Sequence, residues 1–197
     1  MSLRKERSSN MEFKDMTNLG GGKFITRYDL NYVTSEGNIK KYEMIGRNPD
    51  IKSFDELRNA PAEAVVIIAH DPTGEKILIN KEYRMAVGDY AYNFPAGLID
   101  PGEIPEVAAA RELREETGLT LTAINDIWPI SYSAVGVMNE RAIVIVGTAE
   151  GEFAPSTSAE EEIEAKWYTK DEMYDLVTTS TNFAARTQAY CLMWSRS

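Results

Sequence analysis

The chain has 197 residues, with 21 Lys and Arg against 31 Asp and Glu, for a formal net charge of −10. That length supports one well-buried domain with a small appendage, and the charge argues against nonspecific binding to nucleic acid or an anionic membrane surface. No apolar run approaches the roughly 20 residues that span a bilayer, residues 1–10 lack the apolar core of a secretory signal, and a single cysteine, Cys191, excludes an intramolecular disulfide and fits a reducing cytoplasm.

In chain order, residues 1–22 are polar and end in Gly20-Gly21-Gly22, which predicts a mobile tail or an extended arm. Residues 23–33 and 39–45 have strand-like content around the turn signal Ser35-Glu36-Gly37-Asn38, and read as an N-terminal β-hairpin. Residues 47–61 read as a loop with one helical turn at 54–57. Residues 64–69 form a short continuous apolar run, as in a strand buried on both faces. Asp71-Pro72-Thr73-Gly74 then turns the chain, and 76–83 pairs back as another strand.

A helix is expected from Pro105, a residue suited to the first helical turn, through strong helix formers to Thr117, with Gly118 as its C-terminal stop. Strands are predicted over 123–132, 142–148 and 164–168. Thr169 is placed to cap a helix over 170–177, with Glu172 completing a capping box. A last helix is predicted over 182–194. Its Phe183, Tyr190 and Trp194 recur at helical spacing and read as core or subunit contact, and Cys191 among them as a small buried hydrophobe.

The chemistry concentrates in residues 97–119, which read GLIDPGEIPEVAAARELREETGL. On the predicted helix Glu112, Glu115 and Glu116 stand at i, i+3 and i+4, so three carboxylates share one face. Like charges so placed repel, and a hard divalent cation would convert the repulsion into binding. Magnesium is the natural candidate, because it takes oxygen ligands and is usually shared with substrate phosphates; manganese is a possible substitute. A solvated acidic face with Arg111 and Arg114 as partners is the plainer alternative for an arbitrary Glu-rich helix.

The segment also carries the spacing Gly-x5-Glu-x7-Arg-Glu-Leu-x-Glu-Glu-x-Gly-Leu, and in this it resembles the box of the Nudix hydrolases. The resemblance implies an α/β/α sandwich with a mixed sheet, here carrying an N-terminal β-hairpin. It also implies magnesium-dependent cleavage of a nucleoside diphosphate linked to another moiety. It places metal ligands at Glu112 and Glu116, with Glu115 and the main-chain oxygen of Ala96 as further ligands, and gives Arg111 and Glu103 supporting roles. The implied division is a tail and hairpin over 1–60, suited to dimerisation, and a Nudix hydrolase domain over 61–197.

A bound metal leaves the box carboxylates poor bases, so the attacking water needs another group. Glu160, Glu161, Glu162 and Glu164 cluster where ADP-ribose pyrophosphatases, the branch this chain most resembles, supply a base glutamate from a loop. On that alignment Glu161 is the choice, with Glu162 and Glu164 as rivals and Glu140 as a second candidate, beside a catalytic contribution from Glu116. Glu82-Tyr83-Arg84 and Phe94-Pro95-Ala96-Gly97 also look like that branch, which makes Arg84 a phosphate clamp. Residues 41–47 resemble its base- and phosphate-reading strand, suggesting Glu43 and Arg47 for substrate, and Tyr28 or Tyr32 for stacking on a purine.

One departure opens the substrate. A proline is usual about fifteen residues beyond the box in that branch, and here Ala134 occupies the site. ADP-ribose, cleaved to AMP and ribose 5-phosphate, is therefore the first expectation and GDP-mannose or another nucleotide sugar the second. A noncatalytic ADP-ribose sensor and a prenyl-diphosphate isomerase on the same fold stand further off. The implied protein is a cytoplasmic homodimer acting on a small nucleoside diphosphate derivative, without nucleic acid or membrane partners.

Overall fold

A computed structural model describes residues 11–180 and 182–197. The chain divides into two compact units, one running to residue 61 and including 132–141, the other made of 62–131 and 142–197.

The first unit is an antiparallel sheet in the order β1 (Met11–Gly21), β2 (Thr26–Thr34), β3 (Ile39–Gly46), followed by the short helix α1 (Phe54–Asn59). Tyr28 and Leu30 alternate on the inward face of β2 and meet Met44, Ile51 and Leu57 in a small core. The predicted hairpin is thus present, and of the two readings of 1–22, a mobile tail or an extended arm, the mobile tail is corrected for residues 11–21. Residues 11–21 form a strand paired to β2 from Met11↔Thr34 to Gly21↔Thr26, and residues 1–10 lie outside the described residues. Most β1 side chains are exposed, so the strand is held mainly by its backbone ladder, which hydrophobic periodicity does not register. Phe13 anchors it by stacking on Phe54 at 4.6 Å. Ser53 caps α1 by accepting from the Glu56 amide at 3.1 Å. The Arg141 guanidinium closes its other end on the carbonyls of Leu57, Arg58 and Ala60, where the helix dipole favours a cation.

The second unit is built on a mixed sheet in the order β10 (Ile163–Thr169), β5 (Lys76–Arg84), β4 (Ala64–His70), β9 (Arg141–Glu150), β8 (Thr120–Tyr132). Two short strands, β6 (Asp89–Asn93) and β7 (Ala96–Leu98), pair with β5 and β4. β4 and β9 run parallel from Ala64↔Ala142 to His70↔Thr148. Alternation along β4 serves both faces of the sheet. Val65, Ile67 and Ala69 join Leu78 and Ile145 beneath α2 (Pro105–Thr117), which contributes Ala108, Ala109 and Leu113. Val66 and Ile68 face the other way, toward Met173 and Val177 of α3 (Lys170–Thr179) and Cys191 of α4 (Ala185–Trp194). This is the expected α/β/α sandwich.

α3 carries the predicted capping box, with Thr169 and Glu172 satisfying each other's backbone amides. α4 begins later than the predicted 182, because the preceding segment pairs with β6 instead. The Tyr92 amide donates to the Asn182 carbonyl at 2.8 Å, and the Ala184 amide returns to Tyr92 at 3.0 Å. Phe183 then stacks on Tyr92 with ring centroids 5.0 Å apart, so the aromatic stripe is core packing. Cys191 is buried, and desolvation pushes its thiol up to about 12.

Candidate active site

α2 is positioned by its ends and its apolar face. Pro105 occupies the first turn, and Gly118 adopts the left-handed conformation (φ 79°) with its amide on the Arg114 carbonyl at 2.9 Å. Burial of Ala108, Ala109 and Leu113 against the sheet sets the helix's rotation. That rotation splits the predicted trio of carboxylates. Glu116 is 6% exposed and the Glu112 side chain 14%, whereas 47% of the Glu115 side chain remains in solvent. Gly97, on β7, lets Glu112 lie against the strand; a Cβ there would sit 1.9 Å from the Glu112 carboxyl carbon. The first glycine of the box is therefore a space requirement.

Glu116 accepts from Asn80 Nδ2 at 2.8 Å and from the main chain of Ala96. Burial, followed by the charges of Glu82, Glu112 and Glu161, holds its carboxyl well above the usual range. Burial likewise raises Glu112, opposed by Arg111. Arg111 ties the box together. Its Nε and one terminal nitrogen grip Glu103 at 3.0 and 2.8 Å, the second also reaching the Leu98 carbonyl, while Nη1 reaches Glu112 at 2.8 Å and Glu115 at 3.4 Å. Glu103 first, and then Glu112, keep the guanidinium protonated well above its ordinary range, and Arg111 in turn holds the Glu103 carboxyl low.

Beside the box, Glu82, Arg84 and Met85 face Glu160, Glu161 and Glu162 across a cleft of about 280 Å³. Arg84 donates to Glu82 at 3.4 Å and is otherwise free to swing, with 58% of its side chain exposed. Glu162 accepts a hydrogen bond from the Tyr90 hydroxyl. Among the described residues the Glu161 carboxylate has one hydrogen bond, a long contact of 3.4 Å from Ser156. The second unit thus brings together Arg84, Glu161, Glu112, Glu116 and Ala96 among the residues expected from sequence.

These residues suit a hard cation by donor chemistry. The atoms that could ligate are carboxylate oxygens, those of Glu112 and Glu116 largely buried and mutually repelling. Beside them the Oδ1 of Asn80, a residue 1% exposed, has no hydrogen-bond partner among the described residues. Among the described residues no three acidic, His or Cys side chains are already gathered on one point, in keeping with Arg111 spanning Glu112 and Glu115.

The remaining candidates lie in the first unit. Arg47 donates to Glu140, so that carboxylate already has a cationic partner where the sequence suggested a base. Glu43 pairs with Arg27 at 3.2 Å in solvent. Tyr28 is corrected as a stacking residue, because its ring is fully buried in the core and its hydroxyl donates to the Asn48 carbonyl at 2.6 Å. Tyr32 instead lines a hollow with Phe54 and Tyr132.

Sequence reasoning passed over Asn80, Glu82, Asn93 and Thr187. The signal for the first two was present: within the β5 run they alternate with Ile79 and Lys81, so a polar pair occupies one strand face.

A family model described as the NUDIX domain matches residues 60–189. The chain is 30% identical over 138 residues to an uncharacterized Nudix hydrolase of Schizosaccharomyces pombe, covering 70% of this chain and 62% of that protein. It is 32% identical over 136 residues to the ADP-sugar pyrophosphatase of Mus musculus, covering 68% of this chain and 59% of that protein. The chain therefore spans about three-fifths of the length of these curated relatives. Among solved structures, an ADP compounds hydrolase superposes with a TM-score of 0.71 over 98% of this chain and 95% of its own, at 21% identity, which establishes the common fold. With the box helix, its glycine and its arginine network in place, the match over residues 60–189 settles the family: the chain belongs to the Nudix family.

Proposed function

We propose that the protein hydrolyses the pyrophosphate bond of a nucleoside diphosphate sugar in the presence of a divalent cation, with ADP-ribose as the preferred substrate, yielding AMP and ribose 5-phosphate. The observation that carries this reading is the shared cleft of Arg84 and Glu161, with Glu161 close enough for its charge to raise both Glu112 and Glu116. Nudix hydrolases generally use divalent metal ions, and the likeness to an ADP-sugar pyrophosphatase supports the substrate class.

In this reading Glu112 and Glu116 hold the cation, with Glu115 at the rim and the Ala96 carbonyl as a further ligand. When bound, magnesium or manganese would neutralise phosphate charge and favour ionisation of water. Arg84 grips the non-bridging phosphate oxygens with its two-pronged guanidinium. Glu161 accepts the proton of the attacking water as its oxygen bonds to phosphorus, and the bridging P–O bond breaks to release the second phosphate. Exposed Leu19, Phe24 and Ile25 at the β1–β2 turn support a homodimer formed through the first unit.

The test is a panel of ADP-ribose, GDP-mannose and other nucleoside diphosphate derivatives with magnesium, scored for released monophosphate. ADP-ribose should turn over fastest, and Glu116→Gln should abolish turnover with the melting temperature retained. Near-normal rates in Glu116→Gln at saturating magnesium would rule out the cation assignment; binding without product would point to a sensor.

A further inference from the structure

Asn80 and Glu82 stand two residues apart on β5, so both side chains leave the strand on the same face as Leu78, beneath α2. Asn80 contacts Glu116 directly at 2.8 Å. Glu82 is 9% exposed, an unusual degree of burial for a carboxylate whose one ion-pair partner among the described residues, Arg84, is 3.4 Å away and mostly in solvent. What fixes it is a chain of neutral donors. Asn93 Nδ2 donates to Glu82 Oε1 at 3.1 Å, and Asn93 Oδ1 accepts from the Thr187 hydroxyl at 2.9 Å. Thr187 is 1% exposed on the first turn of α4, and the segment before that helix is paired to β6, the strand that carries Asn93.

An acidic neighbour alone would say little. The independent observation is Asn80 Oδ1, fully enclosed and, among the described residues, without a partner, on the same side chain that touches Glu116. A buried amide oxygen and a buried carboxylate, both facing the box, are two acceptors facing a site with a surplus of negative charge. Among the described residues the amide oxygen has no donor, and the carboxylate has one neutral donor and a mostly exposed arginine at 3.4 Å, so a cation or its hydration water would serve both.

We propose that Glu82 is a further cation-binding carboxylate of this site, directly or through water, and that Asn93, anchored by Thr187, is the residue that positions it. The proposal rests on the box holding the metal, as in the reading above. It makes the C-terminal helix part of the cation site's support rather than a distant cover, since mutating the orienting partners of metal ligands typically costs roughly ten- to hundredfold in affinity.

The probe is Mn2+ titrated into the full chain without substrate, followed by electron paramagnetic resonance of the free ion. Glu82→Gln and Asn93→Ser should each weaken Mn2+ binding about tenfold or more. Thr187→Val should weaken it less, and Thr187→Ser, which keeps the hydroxyl, should restore it. Melting in EDTA checks that each variant folds; should Asn93→Ser fail, the Thr187 pair carries the positioning test alone. Unchanged Mn2+ affinity in Glu82→Gln overturns the proposal, and equal affinities in Thr187→Val and Thr187→Ser overturn the positioning role. Glu116→Gln separates the two ideas. Normal binding in Glu82→Gln with weakened binding in Glu116→Gln would sink the Glu82 proposal alone, whereas normal binding in Glu116→Gln would sink the box assignment and with it Glu82's place in that site.

Discussion

Asn80 donates to Glu116 at 2.8 Å in a place where the two residues are 1% and 6% exposed. Without a cation, this bond and the Ala96 main chain are what the structure offers the most deeply buried carboxylate of the box. Asn80→Leu keeps the volume roughly and removes the donor. The expected loss is about 1–3 kcal/mol of folding stability, the usual penalty for an unsatisfied buried polar group. Urea denaturation at neutral pH in EDTA measures it, and an unshifted midpoint would mean the bond is dispensable.

The same crowding predicts a pH dependence. The Glu116 and Glu112 carboxyls are raised in the folded protein, chiefly by burial, above the ordinary 4.5. A carboxyl raised on folding binds its proton more tightly in the native state. Its stabilisation is complete below the unfolded value and is lost as pH rises through the folded value. In EDTA the melting temperature should therefore climb as pH falls from about 8 toward about 5. Glu116→Gln should flatten that slope, and magnesium should oppose it by favouring the ionised forms. A metal-free melting temperature that falls steadily over this range would contradict the assignment.

Gly97 tests whether Glu112 needs its berth. A methyl group would meet the carboxyl carbon of Glu112 at 1.9 Å, so Gly97→Ala must push that side chain aside. Weakened Mn2+ binding with only a modest change in melting temperature is expected. Normal affinity would mean that Glu112 reaches the cation from another rotamer.

Among the described residues the Arg84 side chain has Glu82 as its one ion-pair partner and is mostly exposed, so the fold should not depend on that side chain. Loss of a charged hydrogen-bonding contact to phosphate is expected to remove about 1.5–3 kcal/mol, or roughly ten- to hundredfold in kcat/KM. Arg84→Ala should show this on ADP-ribose with an unchanged melting temperature. An intact kcat/KM would place the phosphate grip elsewhere.

Leu113 is fully buried under the sheet on the face of α2 opposite solvent. Leu113→Ala should cost about 2–5 kcal/mol, read by denaturation. Because it sets the rotation of the helix that carries Glu112 and Glu116, metal affinity should fall with it.

The readable parts of this chain were those with a strong local signal. The α2 boundaries followed from Pro105 and Gly118, the α3 cap from Thr169 and Glu172, and the buried strand β4 from its unbroken apolar run. β1 was hidden because its polar side chains remain in solvent and only its backbone is paired. β6 and β7 were hidden by their brevity and by Pro95 between them. At the site, spacing identified Glu112 and Glu116 but not which way each would turn; that depended on how Leu113 packs. Asn80, Glu82, Asn93 and Thr187 come from two strands and a distant helix, and no local pattern links residues separated so widely in sequence.

Cys191 gives the folded protein a built-in clock. It is the chain's only sulfhydryl, it lies on α4 with none of its surface exposed, and burial suppresses its ionisation. A thiol reagent can reach it only when that outer helical layer lifts from the sheet, so the labelling rate counts those openings. Thr187 rides on the same helix, one turn from Cys191. The reactivity of one sulfur atom therefore reports how steadily this helix holds Thr187 and, through Asn93, the carboxylate of Glu82.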